Sequence, residues 1–389
     1  MINLYGNKAE CTGCTACYSV CPVQAIKMGQ DEEGFYYPVI NHKLCINCHK
    51  CQRVCPEKNS RNNSEPISLY AVKSKDDTIR MKSSSGGSFT ILAEWVEQHK
   101  GVIYGAAYDV QFQVKHYRAE KRSEWEKFRI SKYVQSNLGE TFEQIKADLI
   151  DERLVLFTGT PCQVNGLKTF LQGIDTSRLI TCDIICHGTP SPKVWEDYLG
   201  YIRKKYRVSI KSINFRDKHK LGWHNSNLSI WGANGTLLLS ESKKDNIFFQ
   251  LFFRDLILKP ACYECAYSNF FRPGDITLGD YWGVEKYYPD FDDDKGTSLL
   301  MCNTESGKKL WEEIKNQVKY IRILEDECLQ PNLQKPSMRP DNRDQFWKIY
   351  QKYGIKKIGQ DMGLLPLSYV ERVCRKANGI LTKLKNRRV

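Results

Sequence analysis

The feature that most constrains this 389-residue chain is a cysteine pattern written twice. Cys11, Cys14, Cys17 and Cys21, followed by Pro22, spell CxxCxxCxxxCP; Cys45, Cys48, Cys51 and Cys55, followed by Pro56, repeat it. Two tight turns bring three thiolates of a run to one iron cubane, and the fourth, carried along a short helix, reaches the neighbouring cluster. The expected ligand sets are therefore crossed. Cys11, Cys14, Cys17 and Cys55 hold one [4Fe-4S] cluster, and Cys45, Cys48, Cys51 and Cys21 hold the other. Structural zinc also uses CxxC pairs, but has no use for this compact triple spacing closed by a fourth cysteine and a proline. Residues 1–58 carry eight cysteines with six Lys or Arg and five Asp or Glu. So short a segment lacks a conventional core, and the clusters must staple it.

Beyond this segment the chain reads as a folded globular protein, with 41% hydrophobic and 26% charged residues. No apolar run reaches the ~18 residues that would span a bilayer. The start, Met1 to Cys11, has neither a basic nor an apolar signal region, so a cytoplasmic location is expected. There, cysteine clusters serve metal binding or redox chemistry rather than disulfides. The formal charge of +13 is modest. Basic and aromatic residues are not interleaved along it as a nucleic-acid surface requires, so no nucleic-acid partner is expected.

The polar stretch 59–68, with Pro66, reads as a linker after a 1–58 cluster domain. From Leu69 to about residue 340, apolar runs alternate with helical periods, which predicts an α/β domain. Arg153–Phe157 reads as a buried strand broken by Gly159-Thr160-Pro161-Cys162, with a helix after it. Leu179–Cys186 reads as another strand. Ser83–Gly87 offers caps for a helix through Phe89, Leu92, Ala93 and Val96. Residues 209–240 are β-rich, with Asn234-Gly235 as a hairpin turn, so the sheet is mixed. Residues 341–389 form a helical, basic extension. Its last part, Leu364 to Val389, has seven Lys or Arg against one acidic residue and an apolar stripe. It is read as a docked terminal helix, with contact to an acidic partner or a membrane surface as the alternative.

Among the remaining cysteines, Cys262 and Cys265 stand at ligand spacing. Cys162 and Cys186 follow strands whose ends share one face of a parallel sheet, so the four can converge. From spacing alone, zinc or ordinary burial stay open as alternatives. Cys182, Cys302, Cys328 and Cys374 read as small core residues.

Two resemblances extend this. Residues 1–58 resemble the bacterial two-cluster ferredoxins. Residues 69–323 resemble the beta subunits of coenzyme F420 hydrogenases and dehydrogenases. The second likeness rests on Ser85-Gly86-Gly87 with Thr90, Ser131-Lys132-Tyr133 with Gln135-Ser136, Gly159-Thr-Pro-Cys-Gln163 and Ile185-Cys-His-Gly188. It also rests on Cys262-Tyr-Glu-Cys265, Asp275-Ile-Thr-Leu-Gly-Asp280 and Gly296-Thr-Ser298. It implies an α/β, mixed-sheet flavin domain fused to a small α+β ferredoxin-like domain, a third [4Fe-4S] cluster on Cys162, Cys186, Cys262 and Cys265, and FAD. The flavin is placed by the resemblance near Ser85, Gly86 and Gly87, where helix amides attract phosphate, and near Lys132 and Tyr133. Trp282, in the acidic-aromatic loop Asp280–Gly283, is a candidate stacking group, Asp280 is a candidate catalytic carboxylate that positions a polar group, and His187 is a candidate proton or hydrogen-bond donor.

The function expected is a flavin-dependent iron–sulfur reductase. It takes electrons from a ferredoxin-like or other redox donor and delivers them to an unidentified small-molecule acceptor. Polysaccharide biosynthesis is one setting, because similar proteins accompany such enzymes. The alternative is an electron-transfer subunit of a larger complex without its own substrate.

Overall fold

The structure is a computed structural model that describes residues 2–59 and 63–365. From residue 366 onward, the expected basic terminal helix and Cys374 lie outside the described residues.

The cysteine runs fold as two matching half-turns. Left-handed Thr15 (φ 68°) and His49 (φ 58°) precede the short helices Ala16–Ser19 and Lys50–Arg53, which displace the fourth cysteine of each run. Strands β1 (Ile26–Gln30) and β2 (Tyr36–Ile40) pair antiparallel between them. Ile2, Leu4, Ile26 and Cys51 make only a small apolar nucleus of the segment's own.

The rest is built on an eight-stranded sheet. In chain order its strands are β3 (Ser68–Ser74), β4 (Val102–Tyr108), β5 (Val114–Ala119), β6 (Val155–Gly159) and β7 (Leu179–Ile184). Strands β8 (Ile210–Asp217), β9 (Asn227–Gly232) and β10 (Leu237–Glu241) form a separate antiparallel sheet. Strands β11 (Ile276–Asp280), β12 (Ser298–Cys302) and β13 (Val318–Ile323) complete the large one. Its order is β13-β3-β12-β11-β7-β6-β4-β5. The central β4-β6-β7-β11 ladder is parallel, and the flanking pairs are antiparallel. The sheet is mixed, as expected. Val155, Leu156 and Phe157 are fully buried, which explains the unbroken apolar run in β6: both faces are covered. Cys182, Cys302 and Cys328 are core residues.

The parallel ladder positions the site because β6 and β7 end at one edge. After β6, Thr160 and Gln163 cap the helix Pro161–Phe170 reciprocally, with Pro161 in its first turn. Near the end of β7, Asp183 anchors the segment that leads into β11 through Arg272 and Gly274. The helix Arg343–Asp361, broken at Gly354 (φ 71°), buries Phe346, Trp347 and Tyr350 in a core shared with Tyr198 and Phe248.

The iron–sulfur segment is seated on this body by apolar packing, with Ala16 and Val54 against Phe142 and Leu167 and Phe35 and Tyr37 in the core of Trp195, and by polar contacts. Tyr36 donates its amide to Gln135 Oε1 (2.9 Å), and Ser19 Oγ donates to Glu143 (2.9 Å). Arg343 pairs with Glu33 in the hairpin turn.

Candidate metal centres and adjoining cavity

Cys55 lies within electrostatic reach of Cys11, Cys14 and Cys17: burial, then these neighbours, pushes the Cys17 thiol well up. Cys51 is raised by burial and then by Cys21 and Cys48. Cys21, Cys45, Cys48 and Cys51 line one small recess together with Ile2, Val23 and Ile46. Each run therefore sends its fourth cysteine to the other run's group. Four soft sulfur donors around one recess suit an iron–sulfur cluster.

The dispersed cysteines also converge. Burial pushes Cys162 up to about 12, with Cys265 and Cys262 adding to it. Cys186 is driven well up by burial and then by Cys262, Cys162 and Cys265. Thr189 donates its amide to Cys262 Sγ (3.3 Å), and Thr160 Oγ1 lies 3.2 Å from Cys162 Sγ. Cys162 and Cys186 both feel the charges of Cys262 and Cys265, and this set, with polar partners on Cys162 and Cys262, suits a third cluster. Replacing Cys162 with Ser is expected to remove about four irons per chain while leaving the N-terminal pair; anaerobic iron analysis and the cluster absorbance check it.

The three groups form a row. Cys14 lies within reach of Cys162, and Cys17 within reach of Cys51. The approach is close: a Cβ on Gly166, in the helix after β6, would sit 2.8 Å from Cys14 Cβ and 2.9 Å from its Sγ. Between the first and third groups lies Lys259, only 1% exposed. Its ammonium donates to Tyr36 O (2.9 Å) and stands 3.2 Å from the Tyr37 ring centroid. Burial pulls it down to about 8, while Cys11, Cys262, Asp31 and Cys162 oppose that shift. Sequence reasoning missed Lys259; its only signal was its place three residues before Cys262.

The third group borders a cavity of about 390 Å³ lined by Cys162, Cys186, His187, Lys132, Tyr133, Asp280 and Trp282. Ser85 and Gly87 line it too. Gly86 does not appear in the lining and departs from expectation. Its backbone is pressed onto the sheet, where a Cβ would lie 2.2 Å from Val72 O, so glycine is needed there for packing. Gly87 (φ 94°) caps the helix Ser88–Gln98, whose first turn faces the cavity. Nearby, buried Arg129 has Nε and Nη2 without partners, as does Ser88 Oγ. Unpaired donors at a helix N-terminus suit a phosphate group, and aromatic walls suit a flat ring.

At the other end, Trp282 stacks on buried Trp223 (centroids 4.7 Å, 7° between planes), with the Arg216 guanidinium 5.2 Å from its ring. Asp280 Oδ1 accepts from Trp223 Nε1 (3.0 Å) and Arg216 Nη2 (3.2 Å), so this carboxylate positions the loop. His187 Nε2 bonds Asp255 (2.7 Å), with its ring against Phe252. Lys132 donates to the carbonyls of Lys127 and Arg129, both at 2.7 Å, and burial pulls it to about 7. Tyr133 packs among Phe215, Phe249 and Phe252. Nothing in the sequence singled out Arg129 or Arg216: each is one arginine in an ordinary context.

His116, also in the cavity wall, donates from Nε2 to Thr158 O (3.1 Å), leaving Nδ1 without a partner. Burial lowers its pKa to about 4. The unfolded chain, near 6.5, binds more protons between these values, so stability falls as pH drops through that window. Relative to His116→Gln, the wild type is expected to lose about 2 kcal/mol between pH 7.5 and 5, measured by urea unfolding at both values.

Comparison with known proteins bears on the family. Residues 152–325 match the C terminus of the coenzyme F420 hydrogenase/dehydrogenase beta subunit, and residues 10–59 match the 4Fe-4S dicluster domain. The chain is thus similar to the F420 hydrogenase/dehydrogenase beta subunits over residues 152–325, behind a 4Fe-4S dicluster domain. This relates it to iron–sulfur proteins of oxidoreductase type. It is 22% identical over 333 residues to the F subunit of the F(420)H(2) dehydrogenase of Methanosarcina mazei, covering 81% of this chain and 84% of that one. An uncharacterized ferredoxin of Methanocaldococcus jannaschii is 31% identical over 81 residues, which cover 21% of this chain and 97% of that protein. A chain in the F420-reducing [NiFe] hydrogenase complex of Methanosarcina barkeri superposes with a TM-score of 0.47 at 17% identity, covering 77% of this chain and 92% of that one. Among the described residues, no helix is long and apolar enough to cross a membrane.

Proposed function

We propose that the protein is an iron–sulfur flavoprotein that exchanges electrons between a ferredoxin-like carrier and a small acceptor bound in the cavity. The observation that carries this is the row of three cysteine groups ending at that cavity. When bound, the clusters would supply single-electron transfer and FAD would convert it to two-electron chemistry. The chain's own residues hold and shape. The crossed groups and the Cys162, Cys186, Cys262 and Cys265 set would ligate iron. Ser88, Arg129 and the Gly87-capped helix would take the dinucleotide phosphates, while Tyr133, Phe252 and Trp282 exclude water around the ring. His187, held by Asp255, is the nearest candidate for moving a proton, and Asp280 keeps Arg216 beside Trp282.

The domain limits that accompany this function are 1–58, 59–68, 69–340 and 341–389. The methanogen relatives are redox proteins, and the polysaccharide-biosynthesis setting finds no support among them. Iron, sulfide and flavin analysis of anaerobically purified protein tests the proposal. About twelve irons per chain and one released FAD are expected. Zinc in place of iron would overturn it, and about eight irons without flavin would favour a relay subunit that has no substrate of its own.

A further inference from the structure

The end of the row farthest from the cavity opens onto an unusual surface. Residues Asn41–Lys50, which bring Cys45 and Cys48, are exposed except at the two cysteines. Leu44 is 52% and Ile46 61% exposed, and Val39 and Val23 stand out beside them. Val23, Ile46 and Lys50 share the recess with Cys21, Cys45, Cys48 and Cys51, so the apolar skin lies directly over the sulfur group. Lys27 is paired with Val39 across β1 and β2 and is exposed with it.

Charge on this skin has one sign. The stretches 21–30 and 41–50 contain Lys27, Lys43 and Lys50 and not one carboxylate. The acidic residues of the segment are placed elsewhere. Glu33 pairs with Arg343 at the far end of the hairpin, Glu57 meets Tyr267, Asp31 and Glu32 hold Lys8, and Glu10 accepts from Gly6 N and Asn7. Exposed apolar residues in a soluble surface ordinarily mark a contact, and a rim of one charge selects an opposite partner and speeds its encounter.

We infer, building on the function proposed above, that this face docks a small acidic one-electron carrier protein, with Leu44 and Ile46 at the contact centre and Lys27, Lys43 and Lys50 as its rim. A single electron crosses in each encounter: the carrier is oxidised by one electron, the sulfur-ligated centre beneath Ile46 is reduced by one, and no atom is transferred. The basic rim sets the rate of encounter, and the apolar centre brings the two redox groups close.

The test is anaerobic stopped-flow mixing of the iron-loaded full chain with a reduced acidic two-cluster ferredoxin freed of excess reductant. The second-order rate is expected to fall at least ~10-fold from low to high salt. The pair Lys43→Glu and Lys50→Glu should lower it about as much at low salt. A control with the same charge change on exposed Lys308 and Lys309, in the helix Glu305–Ile314, should stay within about twofold of wild type. Iron content is measured first in each variant. If charge reversal impairs cluster assembly, carbodiimide coupling of wild type to the ferredoxin decides, and cross-links must map to Lys27, Lys43 or Lys50. Equal rates for both variants at full iron, or cross-links elsewhere, would overturn the docking face while leaving the electron-carrier function standing. So would binding to phosphatidylglycerol vesicles that is lost in the Lys43/Lys50 variant while its ferredoxin rate is unchanged. A wild-type chain without iron would instead remove the function on which the docking face depends.

Discussion

Replacing Asp183 with Ala is expected to cost about 3–5 kcal/mol of stability, because it strands a buried charge. Arg272 and Asp183 are 1% and 0% exposed at a separation of 2.7 Å. The carboxylate also accepts from Gly274 N (2.8 Å) and Thr277 Oγ1 (2.9 Å), and Arg272 reaches on to Tyr267 O and Ile184 O. This network ties the end of β7, just before Cys186, to the chain that follows Cys265. Loss of the third group's iron should therefore accompany the loss of stability. Urea unfolding together with iron analysis reads both. A double variant, Asp183→Leu with Arg272→Met, should be less damaged than Asp183→Ala alone, since no charge remains unpaired. Equal or greater damage in the double variant would mean that packing, rather than charge, holds this corner.

Replacing Lys259 with Met is expected to lower the reduction potentials of the two centres that flank it by roughly 50–100 mV. The ammonium is buried near Cys11, Cys162 and Cys262, and a positive charge there favours the reduced, more negative state. At an effective dielectric constant near 20, a unit charge several ångströms away is worth about 2 kcal/mol. The centre of Cys45, Cys48, Cys51 and Cys21 lies beyond the Cys11 group and should move less. Lys259→Arg should preserve all three potentials. A redox titration followed by electron paramagnetic resonance separates the centres; an unshifted Lys259→Met would show that the lysine serves packing over the Tyr37 ring.

The strands and helices around the site were readable because local rules wrote them. The continuous apolar run of β6, the capping box at Thr160 and Gln163, and the Asn234-Gly235 turn all depend on neighbours in sequence. The strand expected through Cys186 ends at Ile184, where the side chain of Asp183 is already committed to Arg272. In the polar turn after β8, Trp223 is fully buried beneath Trp282, and His224 is half-buried against Asp292. Composition of a turn says nothing about which ring from another strand will cover it.

Cysteine spacing alone pointed to the eight N-terminal cysteines and the crossing proposed for them, because the turns that present them are only two or three residues long. Four further cysteines, scattered over more than a hundred residues, could be gathered only by a sheet that ends β6 and β7 at one edge and folds Cys262 and Cys265 back onto it. The same folding drew Lys259, Arg129 and Arg216 into place. Charges of this kind act through space, across separations along the chain that carry no local pattern, so the tertiary structure alone decided their roles.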